Sequence, residues 1–356
     1  MRNIALFYGG KSTEHAISCL SAFQMYHILK DLSYEVTLIG IDLWGRFYLQ
    51  PKMRSKGNAI LISQNKEQEI FINPGVGLVC KGEQVPVDLL LPLTHGTHGE
   101  DGRLQGMLSL LPIPFIGSDH TSSGIGMKKS LTKKLLKDTM IPMTDYFIIS
   151  REDSIDINKI VTTVGLPLIV KPDCGGSSVG VSKVTDGESI QAAVKTALLY
   201  DDQAIIEPFL DVQEIECGVF GYKESLRITI PGSIETGDSI YSYQEKYLVP
   251  ELTYSIPPAI EQRIIYQIKS YAKEVYEYLG CSGFARVDFF LEKDTNRLYL
   301  NEINTIPGMT ETSLFFKLLE ASEISKAEFI EVIITTAQKS FNRKTSLTYT
   351  LDENRS

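Results

Sequence analysis

The chain has little cysteine, no excess of positive charge and no long apolar run, and each shortage excludes something. Its five cysteines, Cys19, Cys80, Cys174, Cys217 and Cys281, are odd in number, far apart and without CxxC spacing. That pattern gives neither a disulfide framework nor a zinc site and points to a reducing compartment. A net charge of -9 over 356 residues, with no stripe of clustered Lys and Arg, argues against a nucleic-acid partner. No apolar stretch approaches the roughly 20 residues that cross a bilayer. Ile4 to Tyr8 is too short for a signal-peptide core and stops at Gly9-Gly10, so a cytoplasmic protein without membrane contact is expected. Internal repeats and low-complexity segments are absent as well.

What is present is an ordinary globular mixture, 43% hydrophobic and 22% charged, long enough for two or three packed units. The first, residues 1–117, opens with a strand at Ile4 to Tyr8, a Gly9-Gly10 turn and a helix whose apolar positions Ala16, Leu20 and Phe23 recur at spacings of four and three. Strands at Val36 to Ile41 and Leu89 to Leu93 and a helix over Arg103 to Leu111 complete a small parallel α/β domain. Trp44 to Gln84 reads as irregular hairpin decoration. The second unit, 118–212, has a basic helix through Met127-Lys128-Lys129, a strand at Leu166 to Lys171, a glycine loop, a helix across Ser189 to Tyr200 and a strand at Ala204 to Pro208. The third, 213–356, carries strands near Ile215 to Phe220 and Leu226 to Ile230, a helix over Ile260 to Leu279, two further strands and a polar, frayed end.

Those two further strands, around Arg286-Val287-Asp288 and Glu302-Ile303-Asn304, read as a hairpin. Alternation puts Arg286 with Asp288 and Glu302 with Asn304 on one face, while Val287, Phe289 and Ile303 enter a core. A near-symmetric turn sets Asp288 opposite Glu302. Two carboxylates about 5 Å apart destabilise a sheet unless a cation lies between them. Asp, Glu and Asn oxygens suit Mg²⁺, which keeps its remaining positions for water and phosphate; a solvent-facing polar strand paired with Arg or Lys is the alternative, and the Arg-x-Asp and Glu-x-Asn pairing on facing strands favours the metal.

Lys171-Pro172-Asp173-Cys174-Gly175-Gly176-Ser177-Ser178-Val179-Gly180 places a lysine before a loop whose glycines let backbone N–H groups approach a phosphate. It lacks the P-loop order, and a plain turn fits the same residues. Lys129 and Lys171 add positive charge. Glu14 follows the first glycine turn at a helix start, where it serves either a ligand or the helix dipole. His95 and His98 have no third His or thiol near them, which makes a metal site of their own improbable.

Taken together, GGKSTEHAIS from Gly9, HGTHGEDGRLQG from His95, KPDCGGSSVG from Lys171, YSYQEKYL from Tyr241, GFARVD from Gly283 and NEINTIPGMTETSL from Asn301 resemble the D-alanine:D-alanine ligase family, over the chain to about residue 340. The resemblance implies a three-domain ATP-grasp fold, α/β with an α+β ATP-grasp part and an N-terminal parallel-sheet domain. It implies ATP and two Mg²⁺ ions, with Mn²⁺ as a substitute. In the implied reaction a D-alanine carboxylate attacks the γ-phosphate, and the amine of a second D-alanine then attacks the acyl phosphate. By the same likeness Asp288, Glu302 and Asn304 hold the metals, and Lys129, Lys171, Lys246, Gly176 and Ser178 meet the phosphates. Glu207, Pro208, Phe209 and Leu210 meet adenine, and Glu214 the ribose. Glu14 takes the first ammonium beside His95, linked through Ser177 and Tyr247. Arg286 and Gly308 face the oxyanion, and Ser313, Leu314 and Lys246 hold the second D-alanine. Tyr241 to Leu248 is expected to be a lid, and the chain a homodimer. His98 and Cys174 depart from the family pattern.

Competing readings find less support. D-lactate makers lack the tyrosine at 247 and D-serine makers carry a basic residue at 314, whereas this chain has Tyr247 and Leu314. A dinucleotide oxidoreductase would need the missing GxGxxG and an acidic ribose partner. A non-catalytic nucleotide-binding regulator has no need of intact Arg286, Asp288, Glu302 and Asn304.

Overall fold

The computed structural model describes residues 2–234 and 254–348. Its first sheet contains β1 (Asn3–Gly9), β2 (Glu35–Ile41), β3 (Phe47–Gln50), β6 (Glu69–Asn73), β7 (Gly77–Cys80), β8 (Glu83–Gln84) and β9 (Leu89–Pro92), in the order β8-β7-β6-β3-β2-β1-β9. A small separate pair, β4 (Ser55–Lys56) and β5 (Ala59–Ile60), lies between β3 and β6 in sequence. Helices α1 (His15–Asp31) and α2 (Arg103–Leu108) belong to this unit. The strands β2, β1 and β9 are parallel, as the strand-turn-helix pattern requires. The stretch read as irregular is more ordered than that. β3, β6, β7 and β8 extend the same sheet antiparallel; Tyr48, Ile70, Leu78 and Cys80 bury one side of β3, β6 and β7, while β8 pairs as a short exposed strand at the edge. Too few consecutive alternations occur in any one strand to signal this locally.

The second sheet, order β10-β13-β11-β12, is built from β10 (Phe147–Ser150), β11 (Leu168–Pro172), β12 (Ser182–Val184) and β13 (Gln203–Pro208), with every pairing antiparallel. It is preceded by α3 (His120–Met127) and α4 (Lys129–Leu136) and covered by α5 (Ile157–Val164) and α6 (Ile190–Ala197). The third sheet runs β17-β16-β14-β18-β19, with β15 on β14. Its strands are β14 (Val212–Gly221), β15 (Arg227–Ile228), β16 (Gly232–Ile234), β17 (Tyr254–Ser255), β18 (Gly283–Glu292) and β19 (Leu298–Asn304). Helix α7 (Gln262–Tyr278) packs on it through Ile264, Ile268, Ala272 and Val275, and α8 (Leu314–Ala321) and α9 (Lys326–Thr345) follow.

One apolar cluster ties the ends of the chain together. Ile4, Leu6, Tyr8, Met25 and Leu91 of the first unit share a core with Phe220, Phe284, Phe315 and Phe329 of the third. The first and third sheets are thereby locked against each other, and the loops at their adjoining ends face one cleft. At about 25 cal/mol per Å² of buried apolar surface, such aromatic side chains contribute several kcal/mol each to that lock.

Candidate active site

The hairpin of β18 and β19 forms the floor. Asp288 faces Glu302 and Arg286 faces Asn304 across the ladder. The register shifts at the next step, where Phe289 faces Leu300, so that Asn301 is an extra residue on β19. This bulge explains the apolar pattern of the strand. Leu298 and Leu300 are buried on one parity and Ile303 on the other, which a strict period of two forbids. It also frees the Asn301 side chain to accept from Lys171 Nζ at 3.5 Å.

Each carboxylate of the facing pair has a cation of its own. Arg286 donates through Nε and Nη2 to the two oxygens of Asp288 at 2.7 Å each, and its Nε lies 3.1 Å from Glu216 Oε2. Lys129 Nζ is 3.2 Å from Glu302 and donates to the Gly175 carbonyl at 2.7 Å. Burial disfavours the Lys129 charge, but Glu302 outweighs it and raises the ammonium pKa. The Asn304 amide donates to Asp288 at 2.9 Å. Two carboxylates and an amide on one patch of strand fit a hard cation that completes its shell with water and phosphate. Among the described residues no group of three or more His, Cys, Asp or Glu side chains is arranged to hold a metal without such help.

Lys129 is aimed by a break that the sequence does not advertise. The basic run expected as one helix is two, α3 and α4, separated by an extended Lys128. The cause is Asp173 in the glycine loop, fully buried, which accepts from Ser130 N at 2.7 Å and Ser130 Oγ at 2.5 Å, while its carbonyl accepts from Lys129 N. A carboxylate at a helix N-terminus satisfies orphan donors and the dipole together. The glycine loop and Lys129 are thus fixed to each other. Within the loop Ser177 and Ser178 both adopt left-handed backbone, an uncommon conformation concentrated at functional sites.

Ser177 Oγ donates to Glu14, which sits at the start of α1 and is almost completely buried. The second loop of the first unit pins the far wall. His95 Nδ1 donates to the Ile306 carbonyl at 2.8 Å, which makes Nε2 the acceptor for Ser21 Oγ at 2.8 Å. Ser21 Oγ in turn accepts from Met309 N, and Glu100 accepts from Ile306 N at 2.9 Å and Gly96 N at 3.3 Å. Gly308 is therefore carried on a segment held at both ends. Burial, reinforced by Arg286, depresses His95 to about 4 against the upward pull of its Ile306 bond. Burial and then Glu14 push Glu100 up to about 8, with the two backbone N–H groups opposing. At neutral pH the imidazole is uncharged.

Glu14, His95, Gly176, Ser177, Arg286, Glu302, Asn304, Gly308, Ser313 and Leu314 line one cleft. Ser313 and Leu314 lie at the N-terminus of α8, an environment that favours a carboxylate. Glu207 and Pro208 close β13, and Phe209 and Leu210 carry the chain from the second sheet toward β14 of the third, with Glu214 two residues into that strand. Lys171, expected on phosphate, lies 2.5 Å from Glu207 Oε2. Lys246, Tyr247 and the expected lid at Tyr241 to Leu248 fall outside the described residues. Burial, then the acids Asp201 and Asp173, push the Cys174 thiol up to about 12, away from the thiolate that a nucleophile needs.

Four side chains of this region carry no sufficient local signal or only a weak one. Glu100 is one residue of the loop that begins at His95, and Asp173 one of the glycine loop, and neither stretch marks its role. Glu216 becomes part of the site because β14 pairs with β18 and sets it beside Asp288, a non-local fact. Lys133 had a signal, its spacing of four from Lys129 on a helix.

Comparison with known proteins agrees along the whole chain. Models described as the N-terminus and the C-terminus of D-ala D-ala ligase match residues 3–118 and 135–335. The D-alanine–D-alanine ligase of Caldicellulosiruptor bescii is 36% identical, covering 97% of this chain and 98% of that relative. That of Oceanobacillus iheyensis is 36% identical, covering 94% and 95%. Among solved structures, the D-alanine-D-alanine ligase from Coxiella burnetii matches with a TM-score of 0.83 at 32% identity over 97% of this chain and 96% of that one. The VanG D-Ala:D-Ser ligase from Enterococcus faecalis matches with 0.81 at 28% identity over 94% and 99%. The chain belongs to the D-alanine–D-alanine ligase family of ATP-grasp enzymes.

Proposed function

We propose that this chain joins two D-alanine molecules into D-alanyl-D-alanine for peptidoglycan precursor synthesis, by way of an acyl phosphate. The observation that carries the reading is the convergence on one cleft of the buried Glu14, Glu302 and Asn304 of the hairpin, with Asp288 paired across from Glu302, and the Gly308 segment. ATP and Mg²⁺ are the cofactors of this family.

Glu14 takes the ammonium of the first D-alanine and turns its carboxylate toward the γ-phosphate, with His95 neutral beside it. Lys129, Lys171 and Lys246 receive the phosphates, and the loop carrying Gly176 and Ser178 covers them. Glu207 and the backbone of Pro208, Phe209 and Leu210 take adenine, and Glu214 the ribose. Bound between Asp288, Glu302 and Asn304, two Mg²⁺ ions, or Mn²⁺ in their place, would neutralise phosphate charge. Ser313, Leu314 and Lys246 orient the second D-alanine, whose amine displaces phosphate from the acyl carbon. Arg286 and the Gly308 N–H stabilise the oxyanion that forms there. Ser177 and Tyr247 close the water-excluding contact with Glu14. Positioning and charge neutralisation supply the rate, consistent with a site that holds no activated thiol.

An apolar Leu314 at the start of α8 supports D-alanine as second substrate. A homodimer in the cytoplasm completes the reading, supported by exposed Phe71, Val76 and Leu110 on the first unit and by five free cysteines. Incubation with Mg-ATP, D-alanine and in turn D-lactate or D-serine tests the substrate. D-alanyl-D-alanine should dominate every mixture, and a dominant ester or D-serine product would overturn the assignment. Sedimentation at micromolar concentration tests the dimer.

A further inference from the structure

Away from the reacting groups, the buried charge is concentrated where α4 meets the end of β13. Lys133, only 3% exposed, has three ammonium hydrogens and three acceptors: Glu207 Oε1 at 2.7 Å, Thr144 Oγ1 at 2.9 Å and the Thr144 carbonyl at 3.1 Å. Its donors are therefore spent, and it has none to offer a phosphate. Thr144 Oγ1, having accepted from Lys133, donates to the same Glu207 Oε1 at 2.7 Å. Both lone pairs of Oε1 are engaged, whereas Oε2 among the described residues meets Lys171 Nζ alone, at 2.5 Å, and keeps a lone pair to spare.

We propose that Lys133, together with Thr144, is a specificity-determining positioning residue: it fixes Glu207 as an acceptor-only carboxylate with Oε2 turned to the nucleotide, so that 6-amino purines are accepted and 6-oxo purines refused. The inference rests on the reading above that Glu207 meets the base. Burial opposes ionisation of Glu207, but the ammonium groups of Lys171 and Lys133 outweigh it and hold the carboxyl below the usual carboxylate range. Lys171 is the cation that phosphates would draw away, and Lys133, whose bonds all lie within the protein, then remains as counter-charge. An ionised carboxylate facing the oxygen of a 6-oxo purine sets acceptor against acceptor, and a polar group left without its partner discriminates strongly. Without Lys133 the buried acid takes up a proton more readily, and a carboxylic acid can donate to that oxygen.

The test is the ratio of ATP to ITP affinities, measured by titration calorimetry on the full chain. Lys133→Met should lower the ratio by about tenfold or more and Thr144→Val should lower it less, a pattern that a loss of general stability does not produce. Glu207→Gln, whose amide can both donate and accept, should also lower it. If Glu207→Gln shifts the ratio while Lys133→Met and Thr144→Val leave it unchanged, the positioning role is overturned and the base assignment stands. If Glu207→Gln leaves it unchanged, the base assignment fails and the proposal with it. Should Lys133→Met not fold, Thr144→Val alone decides.

Discussion

Replacing Glu302 by Gln separates two ways of looking at the hairpin. Seen from the sequence, Asp288 and Glu302 repel, and neutralising one relieves roughly 0.2 to 1 kcal/mol. In the structure, however, Glu302 is also the partner of Lys129, a lysine only 8% exposed and 3.2 Å away. Removing one partner of a buried pair costs about 3 to 5 kcal/mol. The Glu302 side chain is 23% exposed, so water softens the loss to about 1 to 3 kcal/mol. The cost outweighs the relief, and Glu302→Gln should melt about 2 to 5 °C lower than wild type in EDTA. Mg-ATP should raise the melting temperature of the wild type but hardly that of the variant, since binding stabilises only in proportion to affinity. Turnover should fall by about 10²-fold or more, the scale of losing one group that offsets developing charge. Scanning calorimetry with and without Mg-ATP and a phosphate-release assay read all three effects. A melting point equal to or above wild type in EDTA would refute the Lys129 pairing, and near-normal turnover would refute the metal platform.

Glu100→Gln should flatten the alkaline side of the stability profile. Its folded pKa of about 8 lies above the 4.5 of an unperturbed glutamate, so wild-type stability falls as pH rises through that window, by up to roughly 5 kcal/mol, and the melting-point difference, variant minus wild type, should grow from pH 5 to 9. His95 works in the opposite sense. With a folded value of about 4 its contribution is complete above about 6.5 and lost as pH falls toward 4, by roughly 3 kcal/mol, so His95→Asn should blunt the acid limb of the same melts. Parallel profiles for variant and wild type would count against either assignment. Gly176→Ala would put a Cβ 2.7 Å from Glu14 Oε2, and the crowding should raise KM for the first D-alanine about tenfold with kcat less affected. An unchanged KM would place that ammonium elsewhere.

The elements legible in the sequence were those with long, regular patterns: β1 into α1, the amphipathic α7, and the pairing of Asp288 with Glu302. What stayed hidden depended on distant partners. Asp173 breaks α3 from α4, yet it lies 43 residues from the Ser130 it caps. The bulge at Asn301 left a trace in the misplaced parity of Ile303, but a parity slip alone does not say which residue is extruded. Glu100 and His95 reach Ile306 across more than 200 positions, and nothing near either residue announces that contact. Lys133 was visible as one more lysine on a basic helix, and only burial distinguished it from its solvated neighbours.

The fate of one oxygen tests the acyl-phosphate route most directly. With D-alanine labelled by ¹⁸O in both carboxylate oxygens, Mg-ATP and the full chain, mass spectrometry of the released phosphate and of the dipeptide follows the bond that breaks. Attack of the carboxylate on the γ-phosphate, followed by amine attack at the acyl carbon, transfers one labelled oxygen to phosphate for every D-alanyl-D-alanine formed. Phosphate free of label, or labelled phosphate without dipeptide, would contradict it.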